Sequence, residues 1–127
     1  MAVIFDTNAL SAFADGDEKL LRTLENEHEL ALPTIVLGEY LYGIRQSRQW
    51  ASYETWVKTN LPFFTLLPVV RETAEHYSEI RNELKTAGTP IPSNDLWIAA
   101  LARHHRGPLL TRDTHFRAVP GLKILAW

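Results

Sequence analysis

The chain has 127 residues, 46% of them hydrophobic and 22% charged, which suits one compact domain spanning 1–127 and is too short to divide comfortably into two. A formal charge of −2 argues against a protein that coats nucleic acid by bulk positive charge, so any such contact must use local patches. Cysteine is absent, which excludes disulfides, thiolate metal sites and a cysteine nucleophile together and suits a reducing cytoplasm. The opening Met-Ala-Val-Ile-Phe meets Asp6 too soon for a signal-peptide core. No later run is long enough to cross a bilayer, so no membrane association is expected.

Ala2 to Phe5 is wholly apolar and rich in Val, Ile and Phe, as for a strand covered on both faces of a parallel sheet. Asp15-Gly16 breaks the short segment that follows, and Asp17 can cap a helix carrying Leu20, Leu21 and Leu24. A second strand near Glu29 to Leu32 stops at Pro33. Thr34 is placed to N-cap a helix reaching about Arg45; Trp50, Tyr53, Trp56 and Val57 mark the inner face of the next helix, which Pro62 ends. Phe63 to Leu67 reads as a strand, and Val70, Ala74, Tyr77, Ile80 and Leu84 form a long amphipathic stripe stopped by Gly88.

Pro90-Ile91-Pro92 is a stiff loop, Ser93 or Asn94 can cap a further helix, and Gly107-Pro108 closes it. Leu109-Leu110 and Leu122 to Leu125 are the last strand candidates. Strands alternating with helices predict an α/β fold, a central parallel sheet of about four to five strands flanked by helices on both faces.

Charge isolation singles out three acids. Asp6 is the only charged side chain from Ala2 to Ala14, Glu39 the only one from Thr34 to Ile44, and Asp95 the only one from Thr86 to Ala102. Each sits where the chain looks built for burial, and a buried carboxylate is strongly unfavourable without a partner. Around Glu39, Ile35 and Tyr42 lie on its side and Leu37, Leu41 and Ile44 form the opposite stripe, leaving the helix apolar nearly all round. Asp6 could instead simply cap the next helix, and Asp95 could serve a helix dipole. Asp113, beside Arg112 in a polar stretch, reads on its own as a turn residue.

In an open α/β sheet the functional crevice lies at the carboxyl ends of the strands. Asp6 ends the first strand there, Asp113 follows Leu109-Leu110 by a few residues, and Asp95 opens a helix that can face the same edge. Carboxylates gathered about 5 Å apart repel by roughly 3 kcal/mol per pair at an effective dielectric near 20, so a cation or protons must offset them. Oxygen ligands select hard ions, Mg²⁺ or Mn²⁺ rather than zinc. His104 and His105 are adjacent on a helix, where they are expected to point apart and interact with its C-terminal dipole.

Asp6-Thr7-Asn8, Glu39, Asn94-Asp95 with Ile98-Ala99-Ala100, and Thr111-Arg112-Asp113 with His115-Phe116 together resemble the PIN-domain ribonucleases, and more narrowly the VapC-type toxins of toxin–antitoxin pairs. The resemblance implies Asp6 and Asp95 as the principal metal ligands, Glu39 binding or positioning a metal or orienting water, and Asp113 completing the site. It implies Asn8 and Thr111 as residues hydrogen-bonded behind those ligands, and hydrolysis of RNA by metal-activated water. It further implies tRNA or a structured rRNA loop as substrate, an antitoxin covering the site, and a homodimer.

Arg45 with Arg48, Arg103 with Arg106, and Arg112 with Arg117 form candidate basic clusters, of which Arg45, Arg112 and Arg117 are candidate substrate contacts. Each arginine taken alone also reads as an ordinary solvated side chain. Trp50, Tyr53 and Trp56 either line an antitoxin groove or fill the core. Two other readings stand beside the nuclease. A phosphoaspartate phosphatase or receiver domain would use Asp6, but the phosphatase wants an aspartate where Asn8 stands and the receiver a lysine where Thr111 and Arg112 stand. A non-enzymatic RNA- or partner-binding domain would have no need of all four acids.

Overall fold

The computed structural model describes residues 1–127. Its elements are β1 (Val3–Phe5), α1 (Thr7–Ala14), α2 (Glu18–Thr23), β2 (Leu30–Pro33), α3 (Thr34–Arg45), α4 (Trp50–Asn60), β3 (Phe64–Leu67), α5 (Arg71–Ala87), α6 (Ser93–His105), β4 (Leu109–Leu110) and β5 (Ile124–Leu125). Short 3₁₀ segments at Leu61–Phe63 and Thr114–Ala118 precede β3 and β5. The strands form one sheet in the order β3-β2-β1-β4-β5, every neighbouring pair parallel. Central position explains the composition of β1: Val3, Ile4 and Phe5 are each 0% exposed, covered on both faces as an apolar run requires.

α6 supplies much of the cover, burying Leu96 and every residue from Ile98 to Ala102. α5 packs along it through Ile80 and Leu84, and Gly88 ends α5 in the left-handed conformation at φ 74°, as the glycine predicted. Asp17 caps α2, its Oδ1 accepting from the Leu20 N–H at 3.1 Å. No helix is long and apolar enough to cross a membrane.

Several local expectations are corrected. Thr34 and Ser93 are the first residues of their helices, and Asn94 lies inside α6. The cap positions belong to Pro33 and Pro92, whose missing N–H groups and fixed φ suit them to helix starts. The Thr34 hydroxyl instead donates to the Leu67 carbonyl at 3.3 Å, tying α3 to the end of β3. α3 fully buries Val36, Tyr40 and Ile44, the i, i+4, i+8 stripe, with Ile35, Leu37 and Leu41 partly covered, while Tyr42 stands 68% exposed; the helix is apolar nearly all round but fully buried on one face. α6 ends on Arg106 in the left-handed conformation at φ 56°, one residue before the expected glycine. Gly107 serves a close approach, since a Cβ there would run into the Ala2 carbonyl oxygen and the Ile4 side chain. His104 and His105 do not point apart: their ring centroids are 4.3 Å apart. His104 Nδ1 lies 3.1 Å from the Thr73 hydroxyl, which joins α6 to α5.

Candidate active site

From β1 the chain moves to β2 on one side, while β4 and β5 fill the other. The crevice at the carboxyl ends of β1 and β4 is therefore the switch point of the sheet, the place where such folds put ligands. Asp6 stands there, directly after β1, with 5% exposure. Its Oδ1 accepts from the Thr7 N–H at 2.7 Å, capping α1. Its Oδ2 accepts from the Thr111 hydroxyl at 2.7 Å. Thr111 is 1% exposed, and its oxygen in turn accepts from the Asp113 N–H at 3.0 Å. One buried hydroxyl thus joins the carboxylate after β1 to the chain after β4.

Asp113 caps the 3₁₀ segment that follows, its Oδ1 accepting from the His115 N–H at 2.9 Å. That turn brings the His115 Nδ1 to 3.2 Å from Asp113 Oδ1 and 3.1 Å from Asp95 Oδ2. Asp95 reaches the cluster from the first turn of α6. One donor atom each from Asp95, Asp113 and His115 lie within 4.8 Å of one another. Glu39, half-buried on the second turn of α3, joins more loosely: its Oε1 accepts from the Thr7 hydroxyl at 3.3 Å. It also lines a groove of about 280 Å³ with Thr7, Ser11, Tyr40 and Tyr53.

Burial holds the Asp6 carboxyl above its ordinary value of 3.8, with Asp95 and Asp113 adding repulsion against the opposing hydrogen bonds from Thr111 and Thr7. Asp95 is raised for the same leading reason, with Asp113 repelling it and His115 partly compensating. The ion pairs elsewhere use Lys58, Arg71 and Arg103; neither lysine nor arginine pairs with Asp6, Glu39, Asp95 or Asp113. The site is a concentration of acid with a single imidazole as its basic partner.

The remaining candidate residues are dispersed. Asn8 is exposed on α1, and Arg45 is exposed at the end of α3. Arg112 donates through Nε to the Trp127 carbonyl at 3.1 Å and stacks on that ring at 4.5 Å. Arg112, Arg117, Thr111 and Asp113 share a second concavity beside Trp127. The aromatics of α4 divide: Trp56 packs edge-on to Phe13 at 5.8 Å, Tyr53 lines the groove by Glu39, and Trp50 is 47% exposed. Carboxylate counting passes over Thr7 and His115. Beyond the His115-Phe116 motif, the signal for His115 is its place two residues after Asp113, where a capped turn brings the imidazole back onto its own cap.

An all-parallel α/β sheet with carboxylates collected at its switch point defines the class, an α/β protein with an acidic site at the carboxyl edge. The chain belongs to the PIN-domain family, in its VapC-type branch: the PIN domain model matches residues 3–122. A ribonuclease VapC from Rickettsia bellii is 31% identical over 98% of this chain and 96% of its own length. The solved complex of VapBC2 from Rickettsia felis, bound to a DNA fragment from its promoter, contains a chain 25% identical. It superposes with a TM-score of 0.89 over 100% of this chain and 99% of that one. A toxin–antitoxin complex from Klebsiella pneumoniae matches at 28% identity and a TM-score of 0.76, covering 95% of each chain. This membership sets aside the phosphatase and receiver readings.

Proposed function

We propose that the protein is a metal-dependent endoribonuclease, the toxin of a toxin–antitoxin pair, that hydrolyses phosphodiesters of tRNA or structured rRNA. The observation that carries the metal part is the acid cluster itself. Asp95 and Asp113 approach within 4.8 Å, and burial and mutual repulsion raise Asp6 and Asp95 with no lysine or arginine to compensate. A divalent cation, Mg²⁺ or Mn²⁺, fits that donor set, and when bound it supplies Lewis-acid polarisation of the phosphate and a lower pKa for the attacking water.

Asp95 and Asp113 hold the ion in this reading. Asp6 adds its carboxylate, each of whose oxygens keeps a lone pair beyond the one used by Thr7 or Thr111. Thr111 fixes Asp6 and Asp113 relative to each other, and Glu39 orients water or substrate at the mouth of the groove. Arg112 and Arg117 flank Asp113 and suit backbone phosphates, with Arg45 a more distant contact. The antitoxin would enter the groove lined by Tyr40, Tyr53 and Glu39, and the active form would be a homodimer. Support for the partner comes from the VapBC and toxin–antitoxin complexes among the matching structures.

Purified protein with Mn²⁺ or Mg²⁺ and bulk tRNA tests the reading. The parent should cleave, and Asp6→Asn and Asp95→Asn should each lose about 100-fold or more. Cleavage by both variants as fast as by the parent would mean that the activity lies elsewhere.

A further inference from the structure

We propose that His115 is a nitrogen ligand to the bound cation and makes the site selective for Mn²⁺ over Mg²⁺. The inference rests on the reading of Asp95 and Asp113 as metal-holding residues. Its geometric basis is a pair of distances: His115 Nδ1 lies 3.1 Å from Asp95 Oδ2 and 3.2 Å from Asp113 Oδ1. Adjacent ligands on an octahedron with bonds of about 2.1 Å lie about 3.0 Å apart, so the imidazole already occupies the spacing of a ligand beside two others. The same spacings serve hydrogen bonds in the metal-free protein. With the ring proton on Nε2, Nδ1 offers its lone pair instead.

The imidazole is held in place from its own backbone. The His115 N–H is bonded to Asp113 Oδ1, and the next residue, Phe116, is 0% exposed, anchoring the turn in the core. The side chain itself remains 53% exposed, which leaves Nε2 access to water. A nitrogen donor changes the preference of the site. Mg²⁺ favours oxygen and retains its water, whereas transition ions accept imidazole readily.

The test uses the full chain stripped of metal with a chelator. Mn²⁺ and Mg²⁺ are titrated separately, and pulsed electron paramagnetic resonance on the Mn²⁺ form detects directly bound ¹⁴N. The parent should show nitrogen coupling. His115→Ala should abolish that coupling and weaken Mn²⁺ about tenfold or more while leaving Mg²⁺ affinity nearly unchanged. The variant retains the backbone N–H that Asp113 accepts, and circular dichroism checks its fold.

Bound Mn²⁺ without nitrogen coupling, or equal weakening of both ions by His115→Ala, overturns the proposal and makes the imidazole a hydrogen-bonding neighbour only. Asp95→Asn separates the two levels: if it abolishes Mn²⁺ binding while the parent shows no nitrogen coupling, the carboxylate site stands and only the His115 assignment fails. A parent that binds no Mn²⁺ overturns both.

Discussion

Replacing Thr111 by valine exchanges one buried hydroxyl for a methyl of nearly the same size. The hydroxyl donates at 2.7 Å to Asp6 and accepts at 3.0 Å from the Asp113 N–H, so both bonds vanish while packing is conserved. A hydrogen bond to a charged group contributes about 1.5–3 kcal/mol, and a part-buried N–H left without an acceptor costs about 1 kcal/mol more. The expected loss is about 2.5–4 kcal/mol. At about 3–5 °C per kcal/mol for a domain of this size, Tm should fall by roughly 8–20 °C.

The assay is thermal and urea unfolding in chelator at pH 7, run as a double-mutant cycle with Asp6→Asn. Asparagine presents a single acceptor oxygen to the two donors that Asp6 satisfies, so the two substitutions should be non-additive by about 1 kcal/mol or more. A Thr111→Val loss below about 1 kcal/mol, or strict additivity in the cycle, would show that this hydroxyl does not join the two sides of the crevice.

The raised Asp6 carboxyl gives a signed pH dependence. The folded state holds that proton more tightly than the unfolded chain, so the ionisation penalty is absent below the ordinary value of 3.8 and grows as pH climbs through the folded value. In chelator, the stability of Asp6→Asn minus that of the parent should therefore rise with pH across this window; a flat or falling difference in pH-dependent unfolding would contradict it. Saturating Mn²⁺ should stabilise the parent by about 2.7 kcal/mol at a hundredfold excess over its Kd, and calorimetry of Asp95→Asn should show most of that gain lost. Gly107→Ala places a methyl against the Ala2 carbonyl oxygen and Ile4, forcing β1 away from the α6–β4 connection. Denaturant unfolding should register a loss of about 1–3 kcal/mol, and an unchanged midpoint would count against that close approach.

The parts of the fold readable from sequence are those where burial leaves a compositional trace. Val3, Ile4 and Phe5 form an apolar run because β1 is central in the sheet. Gly88 sits at a left-handed stop because few other residues adopt one. The capping of α3 and α6 was not readable in that way. Thr34 and Ser93 have the usual capping side chains, but a preceding proline occupies each cap position.

Charge isolation marked Asp6, Glu39 and Asp95 because each lies in an otherwise uncharged segment. What it leaves out is contact between distant residues. The bond between Asp6 and Thr111 spans 105 residues, and that between Asp95 and His115 spans 20. Thr111 stands between Leu110 and Arg112 and His115 between Thr114 and Phe116, so no local charge pattern marks them, and their contacts with Asp6 and Asp95 form when β4 is laid beside β1. Asp113 looked like a turn residue and is one, capping a 3₁₀ segment; the same turn carries its carboxylate to Asp95.

In the proposed reaction, water activated at this acid cluster hydrolyses RNA, and the fate of solvent oxygen reports on that step. A single-site RNA cleaved by the parent in H₂¹⁸O with Mn²⁺ should give a 3′-hydroxyl and a 5′-phosphate carrying one ¹⁸O, because water adds to phosphorus as the bond to the 3′ oxygen breaks. Asp95→Asn should give neither product at a comparable rate. A 2′,3′-cyclic phosphate, or a 5′-phosphate free of ¹⁸O, would rule out attack of water on phosphorus.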